Sequence, residues 1–375
     1  MSNRSSTEAD TDIEYINEKA AILEDGVDIP AFDGLHAWIV VFGAFLLLMI
    51  AVGTTNSFGV YLQEYQYLFP DTPKSTLTWI GSLQFGGMCF FGVLAGVLVE
   101  RFDSRLVVLG GSIVAGAALL IASACKSPVA LIITQGILFG AGGSCIMIPS
   151  VSMPSQWMEK YRALATGVAV AGGSIGGLWM SFASRAMMTH LGYQWSLRIN
   201  GFMLIAAGCA FSPLMRKRMA VPKREKIIDL GALSNVRFIL LFFSSLFAAG
   251  GYYAPYYYMP PYAQTVLELP GSWGANISSI LNAGSIVGRI VIGLSADYIG
   301  PLNALLFSSA LSTIAVLVFW LPFKSLGMLI TSAIIFGFCS GSLVSLIPVI
   351  TASLFGIKRL SSSIGLLFIS YTIGS

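Results

Sequence analysis

Charged residues are scarce in this 375-residue chain, and their scarcity excludes most soluble folds. Only 10% of the residues are Asp, Glu, Lys or Arg, and 55% are hydrophobic, whereas a soluble domain has roughly 25% charged residues. The mean hydropathy is +0.78. Such a composition predicts an all-α protein with several helices in a lipid bilayer. The basic residues lie in short stretches between apolar segments, so we expect no nucleic-acid partner.

Residues that perform catalysis or bind metals are equally few. The chain has two histidines, and its five cysteines are scattered through apolar segments without a pair at metal-ligand spacing. This pattern predicts no metal site, no cofactor and cysteines that pack as small apolar side chains. The sequence also lacks a glycine-rich phosphate loop ending in Lys-Ser or Lys-Thr, which argues against an ATP-driven pump. We therefore expect a protein that is not an enzyme.

The first 33 residues form the long polar stretch at the start of the chain. They hold nine carboxylates against Arg4 and Lys19. No basic segment precedes an apolar run there, so we expect no cleavable signal peptide. The composition predicts a disordered acidic tail over residues 1–33.

Apolar runs long enough to cross a bilayer, about 20 residues each, fill the rest of the chain. They predict helices at Trp38–Leu62, Leu77–Val99, Leu106–Ala124, Val129–Met153, Ala163–Met187, Trp195–Met215, Arg237–Ala263, Trp273–Ala296, Leu302–Leu321 and Leu326–Thr351. An eleventh run starts at Leu360 and reaches the last residue in mid-span. From this we expect a truncated eleventh helix, in a protein with six helices on each side of a central linker.

A basic stretch from residue 216 to residue 237 divides the apolar runs into two halves. It holds seven of the 21 Lys and Arg residues, and such residues stay on the cytoplasmic side of a membrane. Loops on the side of the tail and this stretch carry 13 Lys and Arg, against 4 on the other side. We therefore expect a cytoplasmic amino terminus, an amino-terminal six-helix bundle at 34–215, a basic cytoplasmic linker at 216–236 and an incomplete carboxy-terminal bundle at 237–375.

The two halves repeat one another at an offset of 197 residues. The matched pairs include Gly53 with Gly250, Gly96 with Gly293, Glu100 with Asp297, and Arg162 with Arg359. Repeated membrane halves are typical of secondary transporters, whose substrate site lies between the halves near the midplane.

The loop after the second helix resembles the corresponding loop of the major facilitator superfamily. It reads Gly96-Val-Leu-Val-Glu100-Arg101 and ends at Arg105. The resemblance implies two bundles of six helices and transport by alternating access. Acidic residues at helix ends with arginines nearby predict a breakable latch between helices, and a simple solvated loop is the alternative. The predicted latch residues are Glu100, Arg101, Arg105, Asp297 and Arg162.

Further motifs resemble those of the monocarboxylate-porter family, in particular its fungal members. They are Asp33-Gly34-Leu-His36-Ala-Trp38, Arg162-Ala-Leu-Ala-Thr-Gly167, and Gly288-Arg289 followed by Gly293 and Asp297. The resemblance implies that Arg289 binds the carboxylate of a substrate. Two positions depart from the pattern of the animal members, since Ser285 replaces an Asp and Thr54-Thr55-Asn56 replaces a Lys. These departures leave coupling to protons open.

Arg289 is also the sharpest candidate on physical grounds. It lies eight residues before Asp297, about 12 Å inside the helix end at 1.5 Å per residue. A charge at that depth costs at least roughly 2.5–3.5 kcal/mol, and none of the 18 acidic residues lies in mid-helix to neutralise it. An anionic substrate would complete the pair through two parallel hydrogen bonds. Snorkelling, or hydrogen bonds to backbone carbonyls of a neighbouring helix, are the alternatives.

The seventh helix supplies further candidates for the substrate site. Pro255 is expected to bend or break this helix, and the tyrosines around it offer rings with hydroxyls, with plain packing as the alternative. The predicted substrate-binding residues are Arg289, Asn56, Thr55, Tyr252, Tyr253, Tyr256, Asn282 and Ser285.

These features predict a monomeric secondary transporter in the plasma membrane or in a vacuolar or other internal membrane. We expect a small substrate that bears a carboxylate or is amphipathic, and export of a secondary metabolite is one direction of transport. Uptake of a short monocarboxylate is an alternative. A non-transporting nutrient sensor on the same fold is another, against which the short tail argues weakly.

Overall fold

Long apolar helices account for nearly all of the ordered backbone in the computed structural model, which describes residues 33–218, 235–270, 272–322, 324–356 and 360–374. Two predicted segments, the acidic tail up to residue 32 and the linker residues 219–234, lie outside the described residues. So do Lys358 and Arg359.

The helices follow the apolar runs of the sequence. In chain order they are α1 (Leu35–Leu68), α2 (Lys74–Arg101), α3 (Ser104–Ala122), α4 (Pro128–Trp157), α5 and α6 (together Arg162–Leu214), α7 (Val236–Thr265), α8 (Ser272–Ile299), α9 (Pro301–Trp320), α10 (Leu326–Phe355) and α11 (Leu360–Gly374). In the described ranges nine segments are long and apolar enough to cross a membrane, and α11 is shorter. Large apolar side chains such as Phe182 and Phe247 remain exposed on the outside of the bundle, as lipid-facing side chains do.

One glycine separates α5 from α6. The segment Arg162–Leu214 is helical except at Gly192, where φ is 83° and ψ is 163°. A positive φ of this kind suits glycine, which has no Cβ. The sequence predicted a gap from Met187 to Trp195, and the structure reduces it to this residue, so α5 comprises residues 162–191 and α6 residues 193–214.

The proline-rich helix α7 is not broken. It runs from Val236 to Thr265 with Pro255, Pro260 and Pro261 inside it, so the break considered at Pro255 does not occur. Prolines inside membrane helices are tolerated because neighbouring groups satisfy the backbone carbonyls that they free.

Glycines let the helices pack at backbone contact within the first half of the chain (residues 33–218). A Cβ added to Gly176 of α5 would collide with the carbonyl group of Met49 in α1, and Gly53 of α1 lies against the backbone of Gly176. The second half (residues 235–374) uses the same device, because Gly288 of α8 lies against the carbonyl group of Phe338 in α10. Small residues at such crossings are the usual basis of helix association in membranes.

The two halves meet along α5 with α8 and along α2 with α11. Gly167 of α5 lies against the carbonyl oxygen of Arg289 in α8, and Gly96 of α2 lies against Ser361 in α11. The start of the linker is bonded to the end of α4, because the indole nitrogen of Trp157 donates a hydrogen bond of 2.8 Å to the carbonyl oxygen of Arg216. We call the end of the helix bundle that contains Trp157 and Arg216 the linker end.

We predict that Gly176→Ala destabilises the protein by about 1–3 kcal/mol, because the added methyl group forces α1 and α5 apart. Gly110→Ala in α3 is the control, since a Cβ there has no heavy atom within 4 Å. Thermal unfolding of the purified variants, followed by size-exclusion chromatography of heated samples, measures both. Equal midpoints for the two variants would contradict the close crossing.

Candidate functional site

The guanidinium group of Arg289 lies between the two halves. Arg289 is 6% exposed, and its Nη1 donates a 2.5 Å hydrogen bond to the carbonyl oxygen of Val170 in α5. This bond is the backbone-carbonyl alternative weighed above, and it joins α8 to the opposite half. It uses one of five N–H donors of the side chain. The Nε of Arg289 is buried and has no hydrogen-bond partner among the described residues.

Two predicted residues lie close to Arg289. Ser285, one turn before it in α8, is fully buried, and its hydroxyl lies beside the hydroxyl of Tyr256. Tyr256 of α7 lies within electrostatic range of Arg289 and next to Ser285, and its hydroxyl donates a long hydrogen bond of 3.4 Å to the carbonyl oxygen of Leu281. Helices α7 and α8 therefore bring three of the candidate side chains together.

The tyrosines of α7 form a continuous aromatic cluster. The rings of Tyr252 and Tyr256 are stacked with centroids 4.9 Å apart and an interplanar angle of 26°, and the rings of Tyr252 and Tyr253 meet edge to face at 5.1 Å. Tyr253 crosses to the first half, where it contacts Phe85 of α2 with centroids 5.8 Å apart. The half-buried cluster thus forms part of the boundary between the halves.

The remaining candidates make local contacts. The amide of Asn282 donates to the carbonyl oxygen of Ser278 in its own helix, and the Thr55 hydroxyl lies 3.5 Å from the sulfur of Met88. Asn56 donates a 3.3 Å hydrogen bond to a backbone carbonyl of α5, at Gly173. Among the described residues, no direct contact joins these side chains to Arg289.

Two buried polar residues were missed by the sequence reasoning. Tyr371 of α11 is 2% exposed and Gln84 of α2 is fully buried. The hydroxyl of Tyr371 and both amide atoms of Gln84 have no hydrogen-bond partner in the described segments. Both residues are uncharged, so the placement of charge in the sequence gives no sign of them. A signal was nevertheless present, because each is an uncharged polar side chain within an apolar run.

At the linker end, the predicted latch carboxylates bind helix N-termini of the opposite half. The Asp297 carboxylate accepts hydrogen bonds from the backbone amides of Ala163 at 2.8 Å and Leu164 at 2.9 Å, in the first turn of α5. The Glu100 carboxylate accepts one from the backbone amide of Ser362 at 3.1 Å, in the first turn of α11. Unpaired amides and the helix dipole make a helix N-terminus a favourable place for a carboxylate.

The predicted latch arginines have different surroundings. Arg101 is exposed, and Arg105 has a buried Nε without a hydrogen-bond partner among the described residues. Arg162 lies near Asp297, while its Nε donates to the carbonyl oxygen of Met158. At the linker end, the hydrogen bonds that Glu100 and Asp297 accept from the opposite half therefore come from backbone amides.

Lys217, at the start of the linker, supports the end of α2. Its Nζ donates to the carbonyl oxygens of Glu100 at 3.2 Å and Phe102 at 2.9 Å, which a helix end leaves unpaired. Burial lowers the pKa of Lys217, and the nearby carboxylates of Asp103 and Glu100 oppose that shift. The linker is thus bonded to the helix end that carries Glu100.

A cavity of about 500 Å³ lies elsewhere, between α7, α9 and α10. Tyr252 reaches it, but Arg289 does not line it. Ser309 of its wall corresponds, at the offset of 197 residues, to Ser112 of α3, which packs closely against Gly208 of α6. The face of α9 that lines the cavity in the second half therefore corresponds to the face of α3 that packs against α6 in the first half.

Comparisons with known proteins agree with this architecture. Residues 35–375 match the family model described as Major Facilitator Superfamily. A crystal structure of a mutant of the nucleoside transporter NupG is similar, with a TM-score of 0.60, 13% identity and 89% of each chain covered, which supports the fold alone. The predicted all-helical transporter fold is confirmed.

Several curated fungal proteins are similar in sequence. The MFS-type transporter pynF of Aspergillus niger is 32% identical over 88% of this chain and 76% of its own length. The Fujikurins efflux protein of Gibberella fujikuroi is 29% identical over 92% and 75%. The Agnestins efflux protein AgnL12 of Paecilomyces divaricatus is 31% identical over 83% and 72%.

We predict that the double variant Glu100→Ala, Asp297→Ala opens the linker end. Each carboxylate bound to a helix N-terminus contributes about 0.5–2 kcal/mol, so its loss favours conformations in which the halves separate there. Spin labels at Phe102 and Tyr298, both exposed and in opposite halves, report the distance by electron–electron double resonance in a background without the native cysteines.

The matched control is the double variant Glu64→Ala, Glu268→Ala, which removes two carboxylates outside the linker end. We expect a longer-distance population in the latch variant alone. The same distance distribution in both double variants would contradict a stabilising role of the two carboxylates.

Proposed function

The chain belongs to the Major Facilitator Superfamily and is a transmembrane transporter, and we propose that it exports a small anionic secondary metabolite by alternating access. The substrate class is a compound that bears a carboxylate or a similar anionic group on an amphipathic body. Two of the similar proteins are named as efflux proteins, for fujikurins and for agnestins, and this supports export as the direction of transport. Membership of a monocarboxylate-porter-like family is part of the same proposal, supported by the motif around Arg289.

The observation that carries this proposal is the incompletely satisfied guanidinium of Arg289. The side chain is buried between the halves, no carboxylate among the described residues pairs with it, and its Nε is left without a partner. A buried cation without a counter-ion is costly. A substrate anion that binds Arg289 through two parallel hydrogen bonds would remove that cost.

We propose that the site lies between two bundles of helices, as the repeat in the sequence suggests. Two bundles, at 34–215 and from 237 onward, rock about the site, and the basic linker at 216–236 joins them on the cytoplasmic side. The linker end is then the cytoplasmic end, and the contacts of Glu100 and Asp297 hold it closed while the site faces the opposite side. We propose a monomer in the plasma membrane or an internal membrane. The acidic tail lies in the cytoplasm.

Coupling to protons is a separate matter. Among the described residues, no acidic side chain lies in mid-helix beside Arg289, so the substrate itself is the candidate proton carrier. Transport of a protonated acid, with release of the proton on the other side, couples flux to pH without a dedicated carboxylate. Uptake of a short monocarboxylate is the alternative function, since the motif around Arg289 fits it equally well.

We predict that Arg289→Met lowers the initial rate of carboxylate transport at least about tenfold, because a charge-assisted contact of about 1.5–3 kcal/mol is lost. Counterflow in proteoliposomes with labelled lactate, benzoate and decanoate measures it, and comparison of the three acids separates a short substrate from an amphipathic one.

The control is Arg198→Met. Arg198 donates through Nε to Ser123 at 3.1 Å and its guanidinium lies 5.0 Å from the ring of Trp195, so its interactions are local to the first half. Equal flux in the two variants at equal amounts in the membrane would defeat the role of Arg289. No saturable flux of any of the three acids in the unsubstituted protein would defeat the carboxylate class.

A further inference from the structure

Tyr371 lies at the meeting point of three helices from both halves. Its hydroxyl is within electrostatic range of Cys89 in α2, Tyr252 in α7 and Arg289 in α8. The next residue, Thr372, donates a 3.2 Å hydrogen bond to the carbonyl oxygen of Gly86 in α2, which fixes α11 against the first half. Tyr371 therefore borders the same region as Arg289, from another helix of the same half.

The Tyr371 hydroxyl has no hydrogen-bond partner among the described residues, although the side chain is only 2% exposed. Buried hydroxyls are normally paired, because an unpaired one loses its bonds to water without replacement. The chain itself shows the ordinary case, since the Tyr61 hydroxyl lies 2.7 Å from both the Ser196 hydroxyl and the Asn200 amide nitrogen. The contrast indicates that a group from outside the chain pairs with Tyr371.

The unpaired atoms near Arg289 share one chemistry. The Nε of Arg289 can only donate a hydrogen bond, and the hydroxyls of Ser285 and Tyr371 can each donate one. The Nε of Arg289 and the hydroxyl of Tyr371 are buried and unpaired among the described residues, and the Ser285 hydroxyl lies beside that of Tyr256. A ligand that presents acceptor oxygens and a negative charge is complementary to these donors.

The stacked rings beside this group favour a flat ligand. The rings of Tyr252 and Tyr256 have centroids 4.9 Å apart and an interplanar angle of 26°, and Tyr252 interacts electrostatically with Tyr371. An offset stack with a further planar conjugated ring is a favourable arrangement for such a pair. A short aliphatic acid would leave these ring faces and the second hydroxyl without contacts.

We infer that Tyr371 is a specificity-determining residue that pairs with a second oxygen of a planar, conjugated oxyanion held by Arg289. The ligand class is a ring-bound enolate or carboxylate with a neighbouring carbonyl oxygen. Arg289 binds the charge, and the Tyr371 hydroxyl donates to the adjacent acceptor. This inference rests on the proposed function, because it concerns the same site, and it names the substrate class more narrowly.

The test measures binding of 4-hydroxy-6-methyl-2-pyranone, a planar enolic acid, to the purified full chain at a pH where the enol is ionised. Equilibrium dialysis compares it with its 4-O-methyl ether, which cannot ionise there, and with acetate. We expect the ionised pyranone to bind at least about tenfold more tightly than either. Tyr371→Phe should weaken pyranone binding about tenfold, the usual effect of one hydrogen bond to a charged group.

Tyr61→Phe is the control, because it removes a buried tyrosine hydroxyl that is already paired within the protein. Without ligand it should lower the thermal unfolding midpoint, whereas Tyr371→Phe should not, and it should leave the dissociation constant of the pyranone unchanged. A folded Tyr371→Phe protein that binds the pyranone as the unsubstituted chain does would overturn the inference, as would tighter binding of acetate or no binding of the pyranone.

Arg289→Met separates this inference from the proposed function. If it abolishes pyranone binding while Tyr371→Phe has no effect, the anion site stands and the role of Tyr371 falls. If Tyr371→Phe weakens binding and Arg289→Met does not, the anchor in the proposed function falls, and with it the arrangement inferred here.

Discussion

The hydrogen bond from Arg289 to the carbonyl oxygen of Val170 places a buried positive charge at the boundary between the two halves. It joins α8 to α5 across the boundary, in a place almost closed to solvent. A motion that separates the two helices breaks this bond, and the buried guanidinium then needs another acceptor. An anionic ligand is such an acceptor. In the proposed transport cycle, binding at this residue and movement of the halves are therefore coupled.

At the linker end, charged side chains again contact backbone groups of the opposite half, but the side chains are carboxylates and the backbone groups are amides. Asp297 and Glu100 accept hydrogen bonds from backbone amides at the starts of α5 and α11. These amides exist at every helix start, so the contact needs no matching side chain and can form again after each separation. The contacts are also modest in energy, about 0.5–2 kcal/mol each, which suits a closure that must open in every cycle.

Much of this architecture could be predicted from the sequence, because span length and the placement of charge are one-dimensional properties. The helices were located within a few residues, and the depth of Arg289 followed from its distance to Asp297. Partners could not be predicted in the same way. The carboxylates suggested arginines, and Arg162 does lie near Asp297. The structure adds hydrogen bonds from backbone amides, which are present at every position except proline and therefore give no signal in the sequence. Tyr371 was missed because an aromatic residue in an apolar run resembles a packing residue until its unpaired hydroxyl is located.

A comparison of Arg198 with Arg289 shows why depth in the membrane alone does not identify the candidate site. The hydrogen bonds of the buried guanidinium matter more. Arg198 is only partly buried, lies over the Trp195 ring and donates through Nε to Ser123. Arg289 has a single bond to a backbone carbonyl and a buried Nε that no described residue pairs with. In a low-dielectric interior, a buried arginine with an unpaired donor is costly unless another group stabilises its charge. In the proposed transport cycle, that group is present for part of the time. A transported anion meets that requirement, because its arrival and departure supply and remove the missing partner.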